Sequence, residues 1–394
     1  MKWNKKGHEF DGMYEAIKQK KQFLLFGAGH EGEAVYDVLN DKFKNEFTIL
    51  GFIDNDTRKQ GDTYCGLPIF SLDKAVKEFA EAGIIISIYR AQPGYSEVEK
   101  QLQAYGYEKN IDFYHYQEFI SVSAAYVHGE LYFPSVSFLP STKCNLRCAA
   151  CLNFTPYTKK FEEREWDRLK SDIDVFFSCV DYVGIFHVSG GEPLLYSKLP
   201  DLLSYIGDNY GQKIYSLETV TNGTVLPSKE FLNIYHDYPI LVTVDDYRDA
   251  LPNRGDIFSR VISAFDKTGG QGKYIVKKFD YWVDLAPMKT NHSSWSESQL
   301  EHHFDSCHAL FQEFRDGELY LCNYEAYAAV AGLTGPVSES GKYDFRKFDK
   351  SKVRELMEFR LGYSEHGYAE FCKRCAGMYS INPYRIKPGE QIVI

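Results

Sequence analysis

Three of the chain's nine cysteines, Cys144, Cys148 and Cys151, fall inside the stretch TKCNLRCAACLNF. No other feature constrains the fold as tightly, because whatever lies around this stretch must present three thiols on one short loop. Three is one more than a disulfide uses and one fewer than a closed structural zinc site needs. Clustered cysteines in an odd total of nine fit a reducing compartment and metal binding better than pairing.

The 394 residues suit two or three domains. A composition 44% apolar and 25% charged is that of a soluble globular protein. The formal net charge of -10 argues against nucleic acid as a partner and against docking on an anionic membrane. No apolar run is long enough to span a bilayer, and the first residues lack the apolar core of a secretory signal, so the cytoplasm is the expected location.

From residue 22 short apolar runs alternate with amphipathic segments: QFLLF, FTILGFID and GIIISIY as strands, and the stretches after Gly27, at LDKAVKEFAEA and at SEVEKQLQAY as helices. The pattern fades near residues 115 to 130. A second alternating series then runs from LYFPSVSFLP to KYIVKKFDYWVD, with about five β/α units and a helix expected from Phe161 to Val180. The fold class expected is α/β: a doubly wound amino-terminal domain over 1–125, a partial (β/α)6 TIM-type barrel over 126–290 and a small cysteine-rich domain over 291–394.

Three thiolates on a loop after a strand suit the soft irons of a [4Fe–4S] cluster and leave one iron open, a mark of chemistry rather than scaffolding. A zinc site completed by a distant residue such as His187 is the alternative. CNLRCAAC together with SGGEPLL (Ser189 to Leu195) resembles the radical S-adenosylmethionine (radical SAM) superfamily over roughly residues 131 to 290. The resemblance implies that Cys144, Cys148 and Cys151 bind the cluster and that S-adenosylmethionine chelates the open iron. It implies that Gly190 and Gly191 allow close backbone approach and that Glu192 accepts from the cofactor's ammonium. Thr221 and Asn222, in TVTNGT, match the family's later strand end near the cofactor, and VTVDD brings Asp245 and Asp246 to another, either of which could be the proton acceptor or cap a turn. Ala150 stands where the family often has an aromatic residue, so Phe154 or Tyr157 is expected to stack on the adenine. The implied reaction is reductive cleavage to a 5′-deoxyadenosyl radical that abstracts hydrogen from a substrate carbon, with flavodoxin or ferredoxin as the low-potential electron donor.

Cys307, Cys322, Cys372 and Cys375 form a second set. CHALFQEFRDGELYLC followed by CKRC resembles the SPASM and shorter twitch extensions, which implies one auxiliary [4Fe–4S] cluster; a four-cysteine structural zinc site is the alternative. Cys65 and Cys179 read as packing or surface thiols. In the first domain, Gly27, Gly29 and Gly32 make a G-x-G-x-x-G between strand and helix, with Asp54 closing the next strand. This resembles Rossmann-like domains of redox-sensing repressors and polysaccharide-biosynthesis proteins, and implies a nucleotide or nucleotide-sugar site, or a domain used only for docking. The expected activity is that of an oxidoreductase-type radical enzyme on a sugar, nucleotide-sugar or glycan-linked compound. A peptide-modifying enzyme and a non-catalytic iron–sulfur redox sensor or electron carrier are the alternatives.

Overall fold

The computed structural model describes residues 1–307, 311–378 and 381–392. The chain forms two compact units: residues 4–132 with 350–361, and residues 1–3 and 133–349 with 362–394.

In the first unit, β1 (Gln22–Phe26), β2 (Thr48–Ile53), β3 (Thr63–Tyr64), β4 (Leu67–Phe70), β5 (Gly83–Ile86) and β6 (Phe113–His115) form one sheet in the order β3-β4-β2-β1-β5-β6. All pairings are parallel except β3 with β4. Helix α1 (His30–Lys42) follows β1 through the glycine turn. The strands read as near-continuous apolar runs because both faces are covered; Leu24, Phe26, Ile53, Ile84 and Ile86 form one core. Residues 115–130, where the sequence pattern fades, hold helix α2 (Tyr116–Ser123) and one π-helical turn to His128. Helix α2 is buried at nearly every position, so no polar face marks its period. Residues 350–361 return to this unit. Helix Val353–Arg360 brings Glu358, whose carboxylate accepts from the backbone N–H groups of Gly7 and Glu9.

The second unit is built on β7 (Tyr132–Phe138), β8 (Tyr182–Val188), β9 (Ile214–Thr221), β10 (Ile240–Asp245) and β11 (Lys273–Lys277), in the sequential order β11-β10-β9-β8-β7. From β8 to β11 every pairing is parallel, the arrangement that β/α crossovers produce. Helices Trp166–Cys179, Leu199–Tyr210, Lys229–Asp237 and Gly255–Thr268 follow β7, β8, β9 and β10 in turn. The first of these begins at Trp166, later than Phe161. Five strands are one fewer than a six-strand partial barrel: Trp282–Val283, beyond β11, pairs antiparallel with Arg385–Ile386. Register places His187 opposite Glu218, and Asp245 opposite Lys277, on strand positions that share one face. Past β11, a small antiparallel sheet joins Phe314–Arg315, Glu318–Tyr320 and Lys342–Asp344. Its tight turn has Asp316 and Gly317 at positive φ, and Asp172 accepts both of their N–H groups as well as a bond from Arg164. No helix among the described residues is long and apolar enough to cross a membrane.

Candidate functional site

The loop after β7 carries Cys144, Cys148 and Cys151, all half-buried free thiols. Burial raises all three thiols, Cys144 to about 12 and Cys148 to about 11; Cys144 also feels Cys151 and Cys148, and Cys148 feels Cys151, as neighbouring negative charge. Such thiols keep their protons until a metal replaces them, which is the behaviour of a ligand set without its metal. Sulfur also receives donors here: Leu146 N lies 3.4 Å from Cys144 Sγ, Asn222 Nδ2 lies 4.0 Å from it, and Gln391 Nε2 lies 3.4 Å from Cys148 Sγ.

The glycines after β8 fit this loop closely. Gly190 has φ +158°, and a Cβ there would lie 2.9 Å from Ser141 O; at Gly191 it would lie 2.3 Å from Lys143 O. Gly191 N donates to Ser141 O and Glu192 N to Lys143 O, at 2.9 and 2.8 Å, so any side chain at Gly191 would push the two loops apart. Glu192 is 1% exposed. Its Oε1 accepts from Leu194 N at 3.1 Å and its Oε2 from Asn222 N at 2.8 Å, which ties the ends of β8 and β9 together. No cation among the described residues pairs with it, and burial pushes its carboxyl up to about 7. A cationic group beside Glu192 would restore its charge, so the position fits an ammonium.

Thr221 and Asn222 end β9. Asn222 Nδ2 donates to Asn145 Oδ1 at 3.0 Å, and Asn145 Nδ2 donates to Thr224 Oγ1 at 2.8 Å, linking this strand end to the cysteine loop. The two aspartates after β10 separate. Asp246 is gripped by its own turn, accepting from Arg248 Nε at 2.9 Å, Nη2 at 2.8 Å and the backbone N at 3.1 Å, and its carboxyl is lowered. Asp245 accepts from Tyr247 Oη at 2.6 Å, and burial raises it to about 6 against the pull of Lys277. His187 stacks on Phe311 with ring centroids 5.1 Å apart; burial, helped by Lys277, lowers it to about 4 and keeps it neutral. Among the described residues no group of three or more His, Cys, Asp or Glu side chains is arranged to hold a metal ion, so His187 does not complete a single-ion site with the triplet.

Phe154 is enclosed and not offered to a cofactor's adenine, whereas Tyr157 is only partly buried. Phe154 is 2% exposed, with its ring 5.6 Å from Phe371, and Tyr157 packs against the same core. That core holds the second cysteine set. Cys322, Cys372 and Cys375 are buried in it among Leu285, Phe371 and Met378, and Cys307 packs at its side. Burial and the neighbouring thiols raise Cys322 and Cys372 well above the usual range and Cys375 to about 12. His292 and His303 hydrogen-bond the carbonyl oxygens of Cys372 and Cys375, each at 3.1 Å.

In the first unit, Gly27 has φ +125°, and a Cβ at Gly32 would lie 2.0 Å from Gly27 O, so the turn admits only glycine there. Gly29 caps α1 with open space around it. Asp54 accepts from Ala28 N at 3.0 Å and from Lys59 Nζ at 2.9 Å, and thus props the glycine turn. Sequence reasoning missed Gln391, Tyr247 and Lys277; the last two sit at ends of strands it had identified, which was the available signal.

Residues 138–272 match the family described as the Radical SAM superfamily, and residues 19–111 match one described as C2185-like, N-terminal. No curated protein matches the chain. Among solved structures, SuiB of Streptococcus suis bound to S-adenosylmethionine is 20% identical, over 52% of this chain and 46% of its own, at a TM-score of 0.30. The chain thus spans less than half of SuiB. BtrN in complex with AdoMet and 2-DOIA is 15% identical, over 65% of this chain and 98% of its own, at 0.38. UDP-D-quinovosamine 4-dehydrogenase from Vibrio fischeri is 22% identical, over 24% and 75%, at 0.20. Residues 138–272, with the cysteine loop and the Gly-Gly-Glu-Pro turn inside them, thus match the radical SAM superfamily, a family of enzymes that work with a [4Fe–4S] cluster and S-adenosylmethionine.

Proposed function

We propose that the chain reductively cleaves S-adenosylmethionine on a cluster held by Cys144, Cys148 and Cys151 and oxidises or rearranges a carbon centre of a sugar, nucleotide-sugar or glycan-linked compound. The observation that supports this reading is that three thiols lie on the one loop after β7, while Cys322, Cys372 and Cys375 lie in a buried core with Cys307 packed at its side. The sheet from β7 to β11 is then a partial barrel, and residues 291–394 supply a twitch-like auxiliary [4Fe–4S] site. When bound, the cluster and S-adenosylmethionine supply hydrogen abstraction from a substrate carbon. The protein's own residues bind, orient and move protons.

Glu192, fixed by two backbone donors, takes the ammonium, and Gly190 and Gly191 let the cofactor lie against the backbone. Asp245 is the proton acceptor for an alcohol oxidation. A carboxyl at about 6 is mostly ionised at neutral pH yet basic enough to take a hydroxyl proton, and Tyr247 Oη holds its orientation. Asp246 is a turn cap. His187, Glu218, Asp245 and Lys277 share one polar face of the sheet, which suits a substrate rich in hydroxyl groups. Gly27, Gly29, Gly32 and Asp54 form a nucleotide or nucleotide-sugar site, with a diphosphate at the start of α1.

The test is anaerobic turnover with reduced flavodoxin or dithionite and a panel of deuterated nucleotide-sugars. Transfer of deuterium into 5′-deoxyadenosine from one of them is expected. Transfer from a short peptide alone would replace the carbohydrate reading with peptide modification, and absence of any cofactor cleavage would leave a redox carrier.

A further inference from the structure

Residues 387–392 lie across the cysteine loop. Arg385–Ile386 first pair antiparallel with Trp282–Val283, which anchors the segment at one end. Lys387 Nζ then donates to Asp249 O at 2.5 Å, and the chain turns at Gly389, where φ is +74° and a Cβ would lie 2.7 Å from Tyr247 Cβ. Beyond the turn the segment runs antiparallel to the loop, with Gln391 opposite Cys148. Ala149 N donates to Glu390 O at 2.7 Å, and Ile392 N donates to Arg147 O at 2.8 Å. These two bonds fix the backbone of the strap on either side of Gln391.

The orientation of the Gln391 amide follows from its neighbours. Arg147 N donates to Oε1 at 2.7 Å, so the oxygen must face Arg147 and the NH2 group must face away. Its two N–H bonds are then directed at Gly389 O, 2.7 Å away, and at Cys148 Sγ, 3.4 Å away. All the polar capacity used here is local, and one of its recipients is a sulfur.

We propose that the 387–392 strap is a built part of the first cluster site, in which Gln391 is a positioning residue that donates an N–H···S hydrogen bond to the Cys148 thiolate and raises the reduction potential of the cluster held there. This rests on the assignment of Cys144, Cys148 and Cys151 as cluster ligands. The physical reason is general: a hydrogen bond to a ligating sulfur withdraws electron density and favours the reduced, more negative cluster. The same strap packs Gly389 on Tyr247, which holds Asp245, so one segment borders both the cluster loop and the candidate proton acceptor.

The experiment is an EPR-monitored redox titration of the reconstituted full chain and of its Gln391→Ala and Gln391→Glu variants. The signal followed is the one missing from the Cys144/Cys148/Cys151→Ala chain. In both variants the strap's backbone bonds are free to form, so the iron content should stay level. The potential should move to a more negative value in Gln391→Ala and further in Gln391→Glu, which adds a negative charge in place of a donor. The auxiliary signal should not move. A second measurement needs no variant: side-chain 15N-labelled glutamine in the wild-type chain should couple weakly to the reduced cluster in pulsed EPR. A cluster present with an unmoved potential and no 15N coupling overturns the strap's role alone. A wild-type chain with no such cluster overturns the ligand assignment and the strap together.

Discussion

Cys144, Cys148 and Cys151 sit half-buried on a loop among polar partners: Asn222, Gln391 and the N–H of Leu146. Cys322, Cys372 and Cys375 lie buried among Leu285, Phe371 and Met378, with Cys307 beside them. The first set has three thiols and a buried carboxyl nearby, Glu192, that pairs with no cation among the described residues; the second has four thiols in an apolar setting. Under the proposed function the difference separates two uses of one side chain. A site that must admit a charged ligand keeps polar groups and an open coordination position, whereas a site that only stores or passes electrons can be closed and dry.

Breaking the second set alone gives the largest effect. Cys372→Ala with Cys375→Ala should abolish turnover of the true substrate, measured by product formation, while cofactor cleavage without substrate persists. Asp245→Asn comes next, slowing turnover by about 10²–10⁴-fold in single-turnover kinetics, the usual worth of a general base. Glu192→Gln keeps a side chain of the same shape but removes its charge. It should weaken S-adenosylmethionine binding by about 10–100-fold in equilibrium dialysis, with iron content unchanged.

Glu313 sharpens the comparison from a position that serves both regions. Its Oε1 accepts from Leu139 N, just before the first cysteine loop, and its Oε2 from Tyr327 Oη in the core of the second set. Burial raises its carboxyl from the usual 4.5 to about 7. The folded chain therefore holds this proton more tightly than the unfolded one. The added stability is complete below pH 4.5 and is lost as pH rises through about 7. In urea unfolding of the metal-free chain, the decline in stability over that interval should be up to about 3 kcal/mol steeper in the wild type than in Glu313→Gln. The smallest effect is expected at Asp246→Asn. Loss of the grip on Arg248 should cost about 1 kcal/mol in the same measurement and leave turnover nearly unchanged.

Much of this site was legible in the sequence because its signals are local. The cysteine spacing, the Gly-Gly-Glu-Pro turn and the strands that precede them lie within short windows, and so does the glycine turn at Gly27. Four features were not legible, each for a physical reason. Helix α2 is buried at nearly every position, so no period distinguishes it from a strand or a linker. Residues 350–361 join the first unit through Glu358, a contact that spans most of the chain and leaves no local trace. The Gln391–Cys148 bond is likewise a contact between distant segments. Phe154 lies close in sequence to the cysteines, yet its positive φ turns it into the core of the second set, which adjacency alone does not reveal.

The central claim is that the two cysteine sets hold two clusters and that only the first activates S-adenosylmethionine. The direct test is iron content together with dithionite-dependent 5′-deoxyadenosine formation, for the anaerobically reconstituted wild type and for the Cys144/Cys148/Cys151→Ala chain. The wild type should bind about eight irons per chain and release 5′-deoxyadenosine; the variant should keep about four irons and release none. Stoichiometric zinc without iron in the wild type, or 5′-deoxyadenosine from the variant, would contradict it.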